Sequence, residues 1–124
     1  MGKYEIKEAK NGVKFNLKAG NNQIIGTSEV YTTEKACLAG IASVQKCAPK
    51  AAVEDQTKGE KAKNPKFEIY KDKAGEFRFR LKASNGEIIL ASEGYTRMAS
   101  CKNGIASVVK NAAAPTVKAA PKEK

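Results

Sequence analysis

Arg78, Arg80 and Lys82 alternate with Phe77, Phe79 and Leu81 in one short run, and Lys14 and Lys18 flank Asn16 in another. Guanidinium and ammonium groups two residues apart suit the binding of phosphates. An extended strand projects residues i and i+2 to one side. If Phe77, Phe79 and Leu81 point inward, the three cations therefore share the outer face, and Lys14 and Lys18 do the same in their run. An ordinary solvated face, with Glu5, Glu68 and Glu76 pairing across strands, accounts for the same pattern. Tyr70 is the one aromatic placed on that face by alternation, which is thin support for stacking single-stranded bases.

A second set is Ser28-Glu29 with Tyr31-Thr32, repeated as Ser92-Glu93 with Tyr95-Thr96. Carboxylate, hydroxyl and phenol together suit a small polar ligand. A strand-to-helix turn with a cap and an aromatic anchor needs the same residues. The local hydrogen bonding that draws Ser and Thr to caps and turns favours the structural role.

Catalytic chemistry finds little to stand on. There is no histidine, which excludes a Cys/His zinc site, and the three cysteines have no CxxC spacing. No GxSxG, phosphate-loop or paired-carboxylate signature occurs, so no metal, cofactor or enzymatic activity is expected. Cys37 and Cys101 fall on an apolar helical stripe, where a thiol is inert. Cys47 lies near a helix end, has no counterpart in the second half of the chain and is open to exposure.

The 124 residues carry a formal charge of +10, and the excess is spread along the whole chain rather than gathered in one arm. That balance favours anionic partners. No apolar run approaches a membrane span and the first ten residues have no hydrophobic signal core, so a cytoplasmic protein with no membrane contact is expected.

The elements that position these residues occur twice. NLKAGNNQIIGTSEVYT aligns with RLKASNGEIILASEGYT at an offset of 64, and both copies continue to GIASV. Alternation predicts strands around Tyr4–Ile6, Phe15–Ala19 and Ile24–Ile25, and around Phe67–Ile69, Phe77–Leu81 and Ile88–Leu90. Asn11-Gly12, Ala74-Gly75, Asn21-Asn22 and Asn85-Gly86 supply the hairpin turns. Cys37, Gly40, Ile41, Val44 and Ala48 then fall on one face of a helix, as do Cys101, Gly104, Ile105, Val108 and Ala112. Thr32 or Thr33 is the expected first N-cap and Thr96 the second. Glycine inside a helix costs about 1 kcal/mol against alanine. Gly40 and Gly104 therefore ask for a close approach, helix to sheet or helix to helix. A copy of roughly 48 residues is too small to bury a core alone, so the two copies are expected to pair about a pseudo-two-fold axis.

The pattern FxFxLKAxNGExIxxSExYTxxxxxxxGIxSV is carried by Phe77–Ile88, Ser92–Thr96 and Gly104–Val108. A weaker version is carried by Phe15, Leu17–Ala19, Asn21, Ser28-Glu29, Tyr31-Thr32 and Gly40–Val44. This closely resembles the YegP-like family, small bacterial proteins of unknown function, over roughly residues 3–54 and 66–118. The resemblance implies a βββαβ unit, present in tandem or as two subunits, whose units share one sheet and exchange their last strands. Ala51–Asp55 and Thr116–Ala119 would form those strands, and the second departs from the family pattern, with Lys118-Ala119 in place of Glu54-Asp55. The resemblance supplies no catalytic or binding residue.

The expected fold is α+β: tandem βββα(β) repeats with pseudo-two-fold symmetry, a shared antiparallel sheet and two helices on one face. Residues 1–55 form the first repeat, 56–65 a linker, 66–119 the second repeat and 120–124 a flexible tail, all in one compact monomer that mimics a dimer. The expected function is a non-enzymatic binding module. Lys14, Lys18, Arg78, Arg80 and Lys82 would contact an anionic partner such as nucleic acid. The alternative is a structural or stress-associated module joined to a protein partner through a sheet edge, and an enzyme without a recognisable motif comes third.

Overall fold

The computed structural model describes residues 2–114 and 116–118. Lys3–Ala9 (β1), Gly12–Lys18 (β2) and Ile24–Thr27 (β3) form an antiparallel meander, followed by the helix Glu34–Cys47 (α1) and the strand Ala52–Asp55 (β4). The second repeat runs Lys66–Lys71 (β5), Phe77–Lys82 (β6), Ile88–Ala91 (β7), Met98–Asn111 (α2) and Thr116–Lys118 (β8). The turns form where expected, with left-handed residues at Asn11 (φ 72°) and Gly86 (φ 87°).

One sheet of eight strands holds both repeats, in the order β4-β5-β6-β7-β3-β2-β1-β8. The six inner strands are antiparallel, and the meanders meet where Thr27 on β3 faces Ala91 on β7. These two residues are 64 apart, equivalent in the repeat, so the pseudo-two-fold axis passes between them. The last strands are exchanged: β4 lies beside β5 and β8 beside β1, both parallel, so the sheet is mixed at its edges. The two exchanges are not equivalent. Val53 faces Phe67, whereas Val117 faces Glu5 rather than Tyr4, the counterpart of Phe67, a slip of one residue. Ala119, expected in this strand, and the tail 120–124 lie outside the described residues.

The inner face of the sheet is apolar. Tyr4, Phe15 and Leu17 from the first repeat and Phe67, Phe79 and Leu81 from the second are fully buried. Each such aromatic or leucine contributes about 1.5–3 kcal/mol of transfer free energy. The helices cover this face and bridge the repeats, α1 packing on β2 and β7, α2 on β6 and β3. Tyr4 O–H donates to the Ala112 carbonyl at 2.7 Å and Gly2 N–H to Asn111 Oδ1 at 3.0 Å, tying the end of α2 to β1.

The helix glycines are explained by the tyrosines of their own repeat. A Cβ on Gly40 would lie 2.3 Å from the Tyr31 hydroxyl, and one on Gly104 would lie 2.6 Å from that of Tyr95. Tyr31 stacks on Phe15 and Tyr95 on Phe79, each with ring centroids 6.4 Å apart. The close approach is thus helix to an anchored aromatic lying between helix and sheet. Thr33 caps α1, accepting from Ala36 N–H at 3.1 Å. Thr96 does not cap α2: its N-cap is Arg97, the counterpart of Thr33, which makes no side-chain cap bond. Cys47 is buried at 3% exposure, because the turn Ala48–Lys50 folds the chain back over the helix end.

Candidate anion-binding face

Strand alternation places all five basic residues on the sheet face opposite the helices. Lys14 and Lys18 lie on β2, and Arg78, Arg80 and Lys82 on β6. The structure does not gather them into one field. Strands β7 and β3 stand between β6 and β2, so the two groups are about 14 Å apart at roughly 4.8 Å per strand.

The second group is occupied by carboxylates. Arg78 Nε donates to Asp72 Oδ2 at 2.6 Å, and Arg80 Nε to Glu68 Oε1 at 2.6 Å. Lys82 Nζ lies 3.2 Å from Glu68 Oε2, and Lys66 Nζ is equally close to that oxygen. Glu68 is 2% exposed and gathers three cations. Burial pushes its carboxyl upward, but hydrogen bonds from Arg80, Lys66 and Lys82 outweigh it and hold the group below the usual carboxylate range. Beside it, Glu54 accepts from Lys66 Nζ at 2.8 Å, Gln56 Nε2 at 2.7 Å and Ala62 N–H at 2.7 Å. These bonds, that of Lys66 foremost, draw Glu54 down to about 2. Arg78 likewise lowers Asp72. Arg80 also lies over the Tyr70 ring, 4.5 Å from its centroid, which covers the face's one aromatic.

The first group differs. Lys18 Nζ lies 2.9 Å from Glu5 Oε1, and this contact lowers Glu5. Lys14 has no carboxylate within ion-pair distance among the described residues. Two further lysines share its face, which alternation within β1 allowed but did not assign: Lys7 stands directly opposite Lys14, and Lys3 directly opposite Lys18. Between the two pairs Glu5 faces Asn16, the counterpart of Arg80. Asn16 is 4% exposed, and its Oδ1 accepts from the Thr27 hydroxyl at 2.8 Å. The cross-strand pairing expected of Glu5 and Glu68 is present. Glu76 makes no ion pair among the described residues, and Asp72 takes that role for Arg78.

The Ser-Glu-x-Tyr-Thr segments do not converge on a ligand. Ser28 Oγ accepts from Phe15 N–H at 2.9 Å and donates to the Glu29 carbonyl at 2.7 Å, and Ser92 makes the same pair of bonds with Phe79 and Glu93. Tyr31 and Tyr95 lie under the helices, where burial raises both phenols. Glu29 and Glu93 point to solvent. The motif therefore locks the strand-to-helix turn. Cys37 and Cys101 are fully buried, and burial, followed by the nearby Asp55 carboxylate, pushes the Cys101 thiol up to about 11. No helix among the described residues is long and apolar enough to cross a membrane.

Comparison with known proteins fits this duplicated architecture. A family model for a domain of unknown function, DUF1508, matches twice, over residues 9–55 and 72–118. The UPF0339 protein YegP of Yersinia pestis is 43% identical over 119 residues, covering 95% of each chain. The chain belongs to the YegP-like family. A shorter UPF0339 protein of Treponema denticola is 64% identical over 47 residues, which fill 38% of this chain and 81% of that one. One repeat thus makes up most of some family members. The solution structure of E. coli yegP, described as a protein of unknown function, superimposes with a TM-score of 0.78 at 34% identity, covering 98% of this chain and 96% of that one.

Proposed function

We propose that this YegP-like chain is a non-enzymatic module that binds polyanions such as nucleic acid, and that the first repeat carries most of the contact. The observation behind this reading is the direct opposition of Lys7 and Lys14, neither of which lies within ion-pair distance of a carboxylate among the described residues. Like charges facing each other across two strands destabilise a sheet, on the scale of about 0.2–1 kcal/mol for a cross-strand pair. Folding alone gives no reason to keep them, whereas a bound polyanion neutralises both. The equivalent pair in the second repeat is Tyr70 and Arg78, with Arg78 held by Asp72.

Binding of a polyanion releases counterions, so affinity falls linearly with salt on logarithmic axes, with a slope of about −0.9 per phosphate neutralised on a duplex. Fluorescence anisotropy on labelled nucleic acid should show a steep salt dependence for the intact chain. Lys7→Glu with Lys14→Glu should abolish binding, and Arg78→Glu with Arg80→Glu should weaken it less. Equal loss from both doubles would return the contact to the whole face. Absence of binding at low salt would overturn the reading.

A further inference from the structure

Resting on that reading, we propose that the polyanion is a nucleic-acid duplex, seated with its two backbones on the two lysine rows of the first repeat and its minor groove over Asn16. The rows are Lys3 with Lys18 and Lys7 with Lys14. They are four residues apart along the strands, about 13 Å at 3.3–3.4 Å per residue. The backbones flanking a minor groove about 6 Å wide stand roughly 12 Å apart once the phosphates' own width is included. A flat sheet face bearing two cation rows at that spacing meets both walls of the groove at once.

Asn16 stands between the rows as an oriented donor. The Thr27 hydroxyl fixes its Oδ1, and its Nδ2 finds no acceptor among the described residues. At 4% exposure it lies nearly covered on the strand between the two lysine rows. A minor groove presents acceptors at every A·T and G·C pair, and a recessed amide reaches them through an ordered water. The contact is therefore nearly blind to sequence. Glu5, beside Asn16, is held by Lys18, which leaves four lysines against one carboxylate on this face.

A single strand fits less well. Proteins that hold single strands without sequence preference stack the bases on aromatic side chains. The outward residues of β1 and β2 between the rows are Glu5 and Asn16, and Tyr70 in the second repeat lies beneath Arg80. In the second repeat Arg80 stands in place of Asn16 and is held by Glu68, which confines the site to one half of the sheet.

The test is an anisotropy titration of the full chain against a labelled duplex of about 20 base pairs, one of its strands alone, and inorganic polyphosphate, at roughly 50 and 200 mM salt. The expected result is a duplex affinity at least tenfold above that for the strand, with a logarithmic salt slope of about −3. Lys7→Ala with Lys14→Ala should flatten the slope by about 2. Asn16→Ala should lower affinity a few-fold at unchanged slope, and saturation of an A·T-rich duplex with a minor-groove drug should block binding whether or not the variants fold. Equal or tighter binding of the strand, binding of polyphosphate alone, or indifference to the drug would overturn the duplex inference and leave the polyanion reading standing. Failure to bind any of the three at the lower salt would overturn both.

Discussion

In the second repeat a buried Glu68 gathers Arg80, Lys66 and Lys82, whereas its counterpart Glu5 in the first repeat holds Lys18 alone. The meander strands match one for one, yet in the second repeat Arg78, Arg80, Lys66 and Lys82 are ion-paired on the outer face, whereas in the first Lys7 and Lys14 make no ion pair among the described residues. A single exchange accounts for much of this: Arg80 stands where the first repeat has Asn16. The guanidinium can pair with Glu68 and cover Tyr70, and the amide can do neither. Duplication thus gave two copies of one surface, and divergence left the second with its cations ion-paired and the first with Lys7 and Lys14 outside any ion pair among the described residues.

The inner side of the same seam shows a complementary divergence. A Cβ on Gly26 would lie 2.7 Å from Leu90 Cδ2, and Gly26 and Leu90 are themselves equivalent positions beside the pseudo-axis. Perfect symmetry would place leucine against leucine or glycine against glycine. The sharpest way to break the comparison is therefore Leu90→Gly, which should cost about 4 kcal/mol through the cavity it opens at a fully buried site. Adding Gly26→Leu should recover more than half of that loss, measured as the denaturant midpoint at constant slope. Gly26→Leu alone should destabilise by about 1–3 kcal/mol through overpacking.

The carboxylates come next. Glu68→Ala leaves Arg80 and Lys82 without a carboxylate while Lys66 keeps Glu54, and should cost about 2 kcal/mol, while Glu5→Ala should cost about 1 kcal/mol or less. Acid sharpens the same contrast. The Glu54 carboxyl falls from its ordinary 4.5 to about 2 on folding. A depressed carboxylate contributes stability that is complete above its unfolded value and lost as pH falls through its folded value. Stability should therefore decline between about pH 4.5 and pH 2, and Glu54→Gln with Glu68→Gln should flatten that decline in a pH series of thermal melts.

The smallest expected effect is the most discriminating. Lys14→Glu places a carboxylate opposite Lys7, and it should stabilise the fold by about 0.5 kcal/mol while weakening polyanion binding. A variant that gains stability and loses binding would mark Lys14 as kept for contact rather than for folding.

Much of this was legible in the sequence. Alternation gave the strands, the Asn and Gly turns gave the hairpins, and the offset of 64 gave the repeat. Strand exchange came through family resemblance, because nothing in a five-residue segment says which neighbour it will pair with. The pairing of Arg80 with Glu68 was hidden for a related reason: alternation assigns a face, but the residue across the ladder depends on register. The same gap concealed Lys3 and Lys7, whose importance lies in what stands opposite them. Gly40 asked for a close neighbour, and which neighbour depended on Tyr31 folding under its own helix.

The exchanged edges carry one more consequence. Residues 56–65 join β4 to β5, two parallel neighbours, and β8 stands beside β1 in nearly the same relation without a covalent link. Topologically the molecule approaches a ring of two repeats, with like pairings of β4 on β5 and β8 on β1. A circular permutant cut within 56–65, with β8 joined to β1 by a segment of similar length, would thread the same sheet in the opposite order.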